Sequence, residues 1–504
     1  MTKRFTVSII SAISVLVCLV FTGFRIGFVF VDHEVFNGFC YLLWGVFILG
    51  SVLLLFQLRS SLTDRKHFCK PLYGVLTGIT ALSVVCMIAF LIIGGSNEFL
   101  NYVYASRETL PYLAAFYCLI FFAFVFPICT EKFRKIAAVA VAAVIVFSCI
   151  SFLFPLGGFS FESVPAVFDD GDSYKVVFAA NRKSLGYVQY EFNGESVTLW
   201  DRFTGRKEAQ TVHSIDVPYE ALANNSYTVG AVRVYEDIAY GGHTGKTITQ
   251  TVERFTPCAA DDFDMLCITD NHGCRIDWTS VKNDFDIGVF LGDYANAIYS
   301  EECMVDNLLI PAATVSGGSK PMIYVRGNHG NRGGYVKTVL DELGYNRLYY
   351  RINAGEYVFT VLDTGEDKAD DNYEYAGFSD YDAYFKDELA WLESLEKTPG
   401  YQIALAHCPD GFKHAEQLNG QLSEHLKRLG VDFIVGGDYL ITEYVPQADS
   451  ATGIPYYICG AKNGMSDLRY TMMHMNAGEV KIASYDLGGA LTMEASHTLT
   501  RTEA

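Results

Sequence analysis

Charge is scarce in this 504-residue chain, because only 19% of the residues are Asp, Glu, Lys or Arg while 50% are hydrophobic. An ordinary soluble protein carries about 25% charged residues. The first 155 residues hold 11 Lys+Arg and 6 Asp+Glu, and the remaining residues hold 27 and 51, giving net charges of +5 and −24. The length allows two or more folded units, and the asymmetry indicates a membrane part followed by a water-exposed part.

Clustered positive charge is missing from the acidic part, which argues against a nucleic-acid-binding surface. A CxxC pair and the Cys/His spacing of a zinc site are also missing. An even number of cysteines in an exported part permits disulfides. However, Cys267 and Cys459 lie in apolar strand-like runs, where free thiols are common, so we assign no bridge. The six cysteines beyond residue 155 are Cys258, Cys267, Cys274, Cys303, Cys408 and Cys459.

Five apolar runs in the first 155 residues each match a bilayer span of roughly 20 residues. Buried core helices are the alternative, but five successive runs with almost no internal charge favour transmembrane helices. The first run is longer than the ~7–15-residue apolar core of a cleavable signal peptide, and no clear cleavage site follows it. We therefore predict an all-α transmembrane bundle over residues 1–155. Its spans are approximately Phe5–Val31, Val35–Leu58, Pro71–Ile93, Pro111–Cys129 and Ile136–Phe154.

Lys and Arg in short loops set the expected orientation, since they accumulate on the cytoplasmic side. They cluster at residues 3–4, 59–70 and 132–135, which places the N-terminus and two loops in the cytoplasm. Five spans then leave everything after Phe154 outside the cytoplasm, in a multi-pass cell-membrane protein. Arg25 lies within a span and either snorkels to the outer surface or pairs inside the bundle. The absence of an inverted repeat disfavours a transporter.

The exported part has two predicted domains. Short alternating runs separated by turn signals, such as Asn193-Gly194, predict a small antiparallel β-sandwich over residues 173–256. Residues 156–172 are predicted to be a linker. From Asp262 onward, apolar strands alternate with helix-like stretches, which predicts a layered α/β domain over residues 262–504. The predicted strands are DMLCITD, DIGVFLGD, KPMIYVRGN, EYVFTVLD, YQIALAH, VDFIVGGD and IPYYICG, and the predicted helices include Tyr381–Glu396 and Ala415–Leu429.

Polar side chains follow five of these strands, where sites are built in such folds. Converging oxygen and imidazole donors are the ligands that a pair of divalent metals needs. Short patterns such as Asp-x-His, Gly-Asp and Gly-Asn-His also occur singly in ordinary turns and loops, and a single histidine is more often structural. Their order, each directly after an apolar strand, favours a metal site. The residues are Asp270 and His272, Asp293, Asn328 and His329, His407, and Asp438.

This order of D-x-H, G-D, G-N-H and H resembles the calcineurin-like metallophosphoesterase family over about residues 262–460. The resemblance implies a four-layer α-β-β-α sandwich that hydrolyses phosphate mono- or diesters. Residues 173–256 resemble the fibronectin-like N-terminal domain of purple acid phosphatases. Those enzymes have a tyrosine where this chain has Asn296, so an iron–tyrosinate centre is not expected.

The resemblance also implies a role for each site residue and a phosphoester as substrate. Two divalent ions (Mn, Fe, Zn, Mg or Ca) would activate a shared water and clamp the phosphate. Arg332 is either a phosphate contact or part of a solvated turn. Asp270 and His272 resemble ligands of the first metal, Asp293 the bridge, Asn328 and His407 ligands of the second, and His329 the catalytic residue at the leaving group.

Two departures from the family pattern affect the predicted site. The Gly-His-x-His motif of the family reads Gly-Asp-Tyr-Leu here, so Asp438 replaces one histidine ligand and Leu440 removes the other. We expect weaker binding and a shift from zinc toward Mn, Mg or Ca, unless His474 fills the gap. Gly330 replaces the acidic residue that orients the catalytic histidine, so His329 should be held more loosely, with Asp270 as its substitute support.

Two functions therefore follow from the sequence. The first is a membrane-anchored, exported, metal-dependent phosphoesterase with an altered last motif. The second is a catalytically weak or inactive domain of the same fold that binds or senses a ligand and is coupled to the membrane bundle. Six of the eight family site positions keep their residue type, which favours the enzyme.

Overall fold

The computed structural model describes residues 158–236, 243–281, 284–373, 375, 377–460 and 467–503. Phe159–Ala504 forms one compact unit. The predicted five-span bundle, over residues 1–155, lies outside the described residues. Within the described ranges, no helix is both long enough and apolar enough to cross a bilayer.

The described ranges contain twenty strands and several short helices. The helices are Tyr219–Leu222, Glu301–Met304, Ile310–Ser316, Val336–Leu343, Tyr381–Ser394 and Asn419–Leu429, and a π-helical turn, Val305–Leu309, joins the second to the third. The strands are β1 Phe161–Asp169, β2 Tyr174–Phe192, β3 Glu195–Trp200, β4 Arg202–Phe203, β5 Arg206–Lys207, β6 Ala209–Val217, β7 Tyr227–Glu236, β8 His243–Val252, β9 Asp262–Ile268, β10 Ile287–Leu291, β11 Pro321–Val325, β12 Tyr350–Ala354, β13 Tyr357–Leu362, β14 Tyr401–Ala406, β15 Val431–Gly436, β16 Glu443–Val445, β17 Tyr456–Ile458, β18 Arg469–Asn476, β19 Glu479–Asp486 and β20 Leu491–Thr498.

Most of these strands belong to two large sheets. The first has the order β20-β19-β18-β9-β10-β11-β1-β2-β7-β8, with β3 and β6 paired to β2, and the second has the order β12-β13-β14-β15-β17-β16. β9, β10 and β11 are parallel neighbours, as are β13, β14, β15 and β17. All seven strands predicted for the α/β domain are present.

Side chains of the second sheet enter two different cores. In β14, Ile403 and Leu405 pack into the core shared with the first sheet. Ala404 and Ala406 pack into a core with Phe385 and other residues of the two helices Tyr381–Ser394 and Asn419–Leu429. Because successive side chains of a strand point to opposite faces, both faces of this sheet are buried. The predicted layered α/β architecture is therefore confirmed.

The segment predicted as a linker contains a strand instead. β1 pairs in parallel with β11, where Val167 lies opposite Pro321, and antiparallel with β2. Successive side chains of β1 enter different cores, because Phe168 packs between the large sheets and Val167 packs among the strands that follow. The linker prediction is wrong for Phe161–Asp169 because both faces of this apolar stretch are buried.

The strands predicted for a small sandwich are present, but they continue the first sheet. β2 is 19 residues long and shifts register between Ala179 and Ser184. Its first part pairs with β1 and β6, and its second part pairs with β3 and β7. The structure therefore differs from a linker followed by a separate fibronectin-like domain. All six cysteines of the described part are free thiols.

Candidate metal centre

The two sheets bring the predicted site residues together at the carboxyl ends of parallel strands. The first sheet supplies side chains after β9, β10 and β11, and the second supplies side chains after β14 and β15. Strand ends of an α/β fold are the usual location of binding sites. In chain order, Asp270 and His272 follow β9, Asp293 follows β10, Asn328 and His329 follow β11, His407 follows β14, and Asp438 follows β15.

Asp293 lies at the centre of this cluster. Its Oδ2 atom lies 3.3 Å from Nε2 of His407, 3.7 Å from Nε2 of His272 and 3.9 Å from Nε2 of His329. Its Oδ1 atom accepts a hydrogen bond of 3.0 Å from the backbone N–H of His329. One carboxylate oxygen therefore faces three imidazoles contributed by three different strands.

The potential ligand atoms form two groups of three that share Asp293. His272, Asp293 and His329 form one group, and Asp270, Asp293 and His407 form the other, with the ligand atoms of each group within 4.8 Å of one another. Asp270 and His272 were expected to bind one ion together, but they fall in different groups, although their Oδ1 and Nε2 atoms are 3.5 Å apart. The shared Asp293 carboxylate is what a bridge between two cations requires.

Three buried atoms in this cluster form no hydrogen bond of good geometry with the described residues, although two of them face an oppositely charged group. They are Asn328 Oδ1, Asp270 Oδ1, which faces His272, and His407 Nε2, which faces Asp293. Buried polar atoms are rarely left without a partner, because desolvation then goes uncompensated. All three are oxygen or imidazole lone-pair donors of the kind that divalent metals bind. The residues present therefore fit divalent metal ions.

Hydrogen bonds at the other atoms of these side chains fix their orientation. Asp270 Oδ2 accepts hydrogen bonds from Thr269 Oγ1 at 2.7 Å and from the backbone N–H of Asp438 at 3.1 Å. His407 lies with Nδ1 2.5 Å from the carbonyl oxygen of Leu291, which makes Nδ1 the protonated nitrogen. Each remaining atom, Asp270 Oδ1 and His407 Nε2, is then left to face the site.

The backbone is left-handed at five positions around the site, a conformation that costs free energy for residues with a Cβ atom. Such strain concentrates at functional sites, where the surrounding structure holds it in place. Leu440 is the least expected member of this set. The φ angles are 53° at Asp270, 44° at His272, 53° at Asp293, 75° at Asp438 and 50° at Leu440.

Two glycines allow the strand ends to approach one another closely. A Cβ atom on Gly327 would lie 2.1 Å from Oδ1 of Asp293, and one on Gly292 would lie 2.5 Å from Nδ1 of His407. Both distances are too short for any side chain. Glycine before Asp293 and before Asn328 is therefore required by packing around the bridge.

Charge at the site is balanced between Asp293 and the imidazoles. Burial acts to raise the pKa of Asp293, but His407, His329 and His272 together lower it well below its usual range. Burial acts to lower the pKa of His407, but the Asp293 carboxylate raises it to about 10. Without a metal ion, a protonated His407 supplies the positive charge that Asp293 needs, and a bound cation would displace that proton.

Asn296 holds two of the histidines. Its backbone carbonyl lies 2.7 Å from Nδ1 of His329, and its side-chain Oδ1 lies 2.9 Å from Nδ1 of His272. The expectation that Asp270 supports His329 is therefore wrong, because this carbonyl occupies that role and compensates for Gly330. The sequence marked Asn296 only as the position where a tyrosine is missing.

Arg332 lies beside the candidate catalytic histidine, with Nη1 3.2 Å from Nε2 of His329. Its Nη2 atom donates to Oδ1 of Asp367 at 3.4 Å, so the residue is not in a freely solvated turn. Asp367 also accepts a hydrogen bond from the Asn328 side chain, which leaves Asn328 Oδ1 as the potential ligand atom. The neighbouring Glu366 is buried, which raises its pKa to about 7.

Asp367 and Glu366 were not among the predicted site residues, although they follow β13 in the same way that the predicted residues follow other strands. The signal was the polar stretch after the apolar run EYVFTVLD, where Asp363, Glu366 and Asp367 occur. Asp363 pairs with Arg326 through a salt bridge of 2.6 Å. This buried pair fixes the start of the segment that carries Asp367.

Asp438 lies next to the cluster but belongs to neither group of three. Its Oδ1 atom is 3.8 Å from Nε2 of His407, and its Oδ2 atom is paired with Nζ of Lys413. His474 does not fill the position left by Leu440. It lies in β18 opposite Asp264 at the start of β9, which is the opposite end of that strand from the site, so that prediction is wrong.

Comparison with known proteins supports the family resemblance. Residues 263–440 match the sequence model of the calcineurin-like phosphoesterase family, whose members bind divalent metals. A search of curated proteins gives no match. Similar solved structures include GAP50, the anchor in the inner membrane complex of Plasmodium, with 13% identity, coverage of 48% of this chain and 90% of that chain, and a TM-score of 0.35.

Two further similar structures are a predicted phosphoesterase from Streptococcus pneumoniae and a cold-active protein-tyrosine phosphatase from Shewanella. The first has 9% identity, 48% coverage of this chain, 99% coverage of that chain and a TM-score of 0.26. The second has 9% identity, 68% coverage of this chain, 100% coverage of that chain and a TM-score of 0.26. At these values the similarity carries no information about activity. The family match shows that residues 263–440 are similar in sequence to calcineurin-like phosphoesterases.

Proposed function

We propose that this protein is a membrane-anchored, exported phosphoesterase that hydrolyses a phosphate mono- or diester with divalent metal ions. The observation that carries the proposal is the pair of ligand groups sharing Asp293, together with the buried ligand atoms that form no hydrogen bond of good geometry in the described ranges. A single carboxylate between two groups of donors matches the arrangement of a dinuclear hydrolase. Bound cations would supply an activated water and neutralise charge on the phosphate.

The side chains of this protein hold the reaction geometry. Asp293 links the two ligand groups, and the backbone N–H of His329 fixes one of its oxygens. Thr269 and the backbone of Asp438 hold Asp270, and the carbonyl of Leu291 holds His407. Because each ligand is fixed by a second contact, the donors keep their positions when substrate enters.

His329 and Arg332 are suited to the substrate side of the site. Burial and the nearby Arg332 charge lower the pKa of His329 despite the opposing effect of Asp293. The Asn296 carbonyl engages Nδ1, so Nε2 is the ring atom that faces the site. We assign this atom to proton exchange with the leaving oxygen, which leaves His272 and Asp293 as the metal ligands of that group. The Arg332 guanidinium lies 3.2 Å from Nε2 of His329 and suits a phosphate oxygen bound beside it.

The membrane part of the proposal rests on the sequence. Five apolar runs and the distribution of Lys and Arg support an extracytoplasmic position for the phosphoesterase domain. A domain attached in this way would meet phosphoesters at or near the outer face of the membrane. Protease treatment of intact cells tests this placement, since an outer domain is digested while a cytoplasmic domain is protected.

A second candidate is a binding or sensory domain with weak or no catalysis. The observation that favours it is the altered last motif, in which Leu440 offers no ligand atom and Asp438 is paired with Lys413. Loss of ligands from one metal would weaken its binding. The two groups around Asp293 do not require either residue, and for this reason we favour the enzyme.

Hydrolysis by the purified full-length protein tests the proposed function. After loading with Mn²⁺, the protein should hydrolyse an aryl phosphate or an aryl phosphodiester, and chelation should abolish turnover. His329→Ala should lower kcat by about 10²–10⁴-fold, the usual contribution of a positioned proton-transfer group. His425→Ala, on the helix Asn419–Leu429, serves as the control variant. Stable metal binding without turnover on either ester would favour the sensory domain instead.

A further inference from the structure

Lys413 brings a positive charge to the altered motif. It lies in the loop between β14 and the helix Asn419–Leu429, and its side chain is about one-fifth exposed (22%). Its Nζ atom donates to Oδ2 of Asp438 and lies 4.0 Å from the centre of the Tyr439 ring. A carboxylate and an aromatic face are two partners that stabilise an ammonium group.

Tyr439 and Cys408 complete the support for this ion pair. The Tyr439 hydroxyl donates to Oδ2 of Asp410, which fixes the ring beneath the ammonium. The Cys408 thiol donates to Oδ2 of Asp438 at 3.6 Å, so this carboxylate oxygen already has two donors. Only one hydrogen bond is formed by Lys413 within the described ranges, although an ammonium has three N–H donors.

The location of Lys413 connects it to the metal centre. The other oxygen of Asp438, Oδ1, lies 3.8 Å from Nε2 of His407. The Asp438 carboxylate therefore contacts the Lys413 ammonium with one oxygen and approaches the Asp293 cluster with the other. In the family motif, the position of Asp438 provides a histidine for metal binding. In this chain that position is Asp438, and one of its carboxylate oxygens is paired with the Lys413 ammonium.

We propose that Lys413 is a phosphate-binding residue of this site, and that Asp438 positions its ammonium group instead of binding metal. A phosphoryl group held at the Asp293 cluster would accept a hydrogen bond from an N–H of Lys413 that Asp438 does not use. This inference rests on the proposed phosphoesterase function and names an additional substrate contact. It accounts for the position of Asp438 outside both ligand groups.

Phosphate and metal binding, measured separately on the full-length protein, test this role. Inorganic phosphate is titrated into the Mn²⁺-loaded protein, and bound Mn²⁺ is counted in the same samples. Lys413→Met should raise the Kd for inorganic phosphate by about 10- to 100-fold, the usual effect of losing a hydrogen bond to a charged group, with no change in bound Mn²⁺. Asp438→Asn should also weaken phosphate binding and keep the full Mn²⁺ content.

Two further variants provide controls. Lys413→Arg keeps the charge and should retain most of the phosphate affinity. Lys337→Met removes a lysine that also pairs with an aspartate, Asp341, but is 88% exposed on the helix Val336–Leu343, and it should bind phosphate like the wild type. Circular dichroism spectra establish that each variant is folded.

Three results would overturn the proposal. They are phosphate binding by Lys413→Met equal to that of the wild type, loss of bound Mn²⁺ in Asp438→Asn, and no phosphate binding by the wild type. None of these measurements depends on turnover. A wild-type protein that binds phosphate through Lys413 but hydrolyses no ester would refute the proposed function and support the role of Lys413.

Discussion

Asp293 is the residue on which the candidate metal centre depends, because its carboxylate faces His272, His329 and His407 at once. It is 3% exposed and in a left-handed conformation, and it is packed against Gly327 so closely that no other residue fits there. A buried anion needs a compensating positive charge. The imidazoles provide that charge without metal, and divalent ions are the alternative that the free ligand atoms favour.

A second polar cluster, away from the metal ligands, has the geometry of a serine-hydrolase triad. Oγ of Ser184 lies 2.9 Å from Nε2 of His213, and Nδ1 of His213 lies 2.8 Å from Oδ2 of Asp201. Ser184 and His213 are both 0% exposed, so a substrate cannot reach the hydroxyl. We infer that this chain of hydrogen bonds stabilises the bend of β2 and takes no part in catalysis.

Ser184→Ala should therefore lower stability and leave hydrolysis of the aryl phosphate unchanged. The variant loses one buried hydrogen bond and leaves Nε2 of His213 without a partner, which costs about 1–3 kcal/mol of unfolding free energy. Ser196→Ala removes an exposed hydroxyl from β3 and is the matched control. Loss of hydrolysis in Ser184→Ala, or labelling of Ser184 by a fluorophosphonate, would contradict a purely structural role.

At the scale of strands and helices, the sequence predicted elements that have a local signal. Seven predicted apolar runs became β9, β10, β11, β13, β14, β15 and β17. Residues such as Asp270 and Asp293 could be proposed as ligands because parallel strands end at one edge of a sheet. Asn296 and Lys413 could not, because their roles depend on contacts between segments far apart in the chain.

β1 shows that a whole strand can also escape prediction from the sequence when its place depends on distant segments. Its sequence, FESVPAVFD, has a proline and no strict alternation, so it gave no clear strand signal. Its place in the sheet depends on β11, which lies about 150 residues later in the chain and which single-sequence patterns cannot pair with it. The strand inserts between β11 and β2 and so makes one sheet out of two predicted domains.

A truncated variant that begins at residue 173 should therefore fail to fold, whereas one that begins at residue 158 should fold. The shorter variant loses Phe168 from one core and Val167 from the other, both of which are 0% exposed. Losing a buried apolar side chain costs about 2–5 kcal/mol, and a whole domain is stable by only about 5–15 kcal/mol. Far-ultraviolet circular dichroism and thermal unfolding of the two variants measure the difference. A cooperative transition at the same Tm in both would contradict the role of β1.

At the scale of the whole molecule, several buried carboxyl groups make stability depend on pH. Burial raises the pKa of Glu388 to about 8, of Glu342 to about 7 and of Asp169 to about 6. Glu388 is 0% exposed and accepts a hydrogen bond of 2.9 Å from the backbone N–H of Asp363. That contact holds the segment that leads from β13 to the metal centre.

The sign of the pH effect follows from the protons bound in each state. The usual pKa of a glutamate is 4.5, so between pH 4.5 and pH 8 Glu388 is protonated when folded and ionised when unfolded. Stability is therefore highest below this window and falls as the pH rises through it, by up to ~1.4 kcal/mol per pH unit for one group.

Glu388→Gln should flatten the decrease in stability between pH 5 and pH 8, because glutamine mimics the protonated acid at every pH. Urea unfolding of residues 158–504 at pH 5, 6, 7 and 8 measures the slope. Glu393→Gln, near the end of the same helix and exposed, is the matched control and should keep the wild-type slope. An identical pH dependence in Glu388→Gln and the wild type would show that Glu388 is ionised in the folded protein.

The metal content of the wild type and of Asp293→Asn tests the central claim most directly. Full-length protein is loaded with Mn²⁺ and freed of excess metal by gel filtration. Its Mn²⁺ content is then measured by inductively coupled plasma mass spectrometry. We predict about two Mn²⁺ ions per chain in the wild type, the number expected for a dinuclear site, and loss of bound Mn²⁺ in Asp293→Asn. Asp341→Asn, a substitution of an exposed aspartate in the helix Val336–Leu343, should retain the wild-type content. A metal-free wild type, or full metal content in Asp293→Asn, would contradict the account.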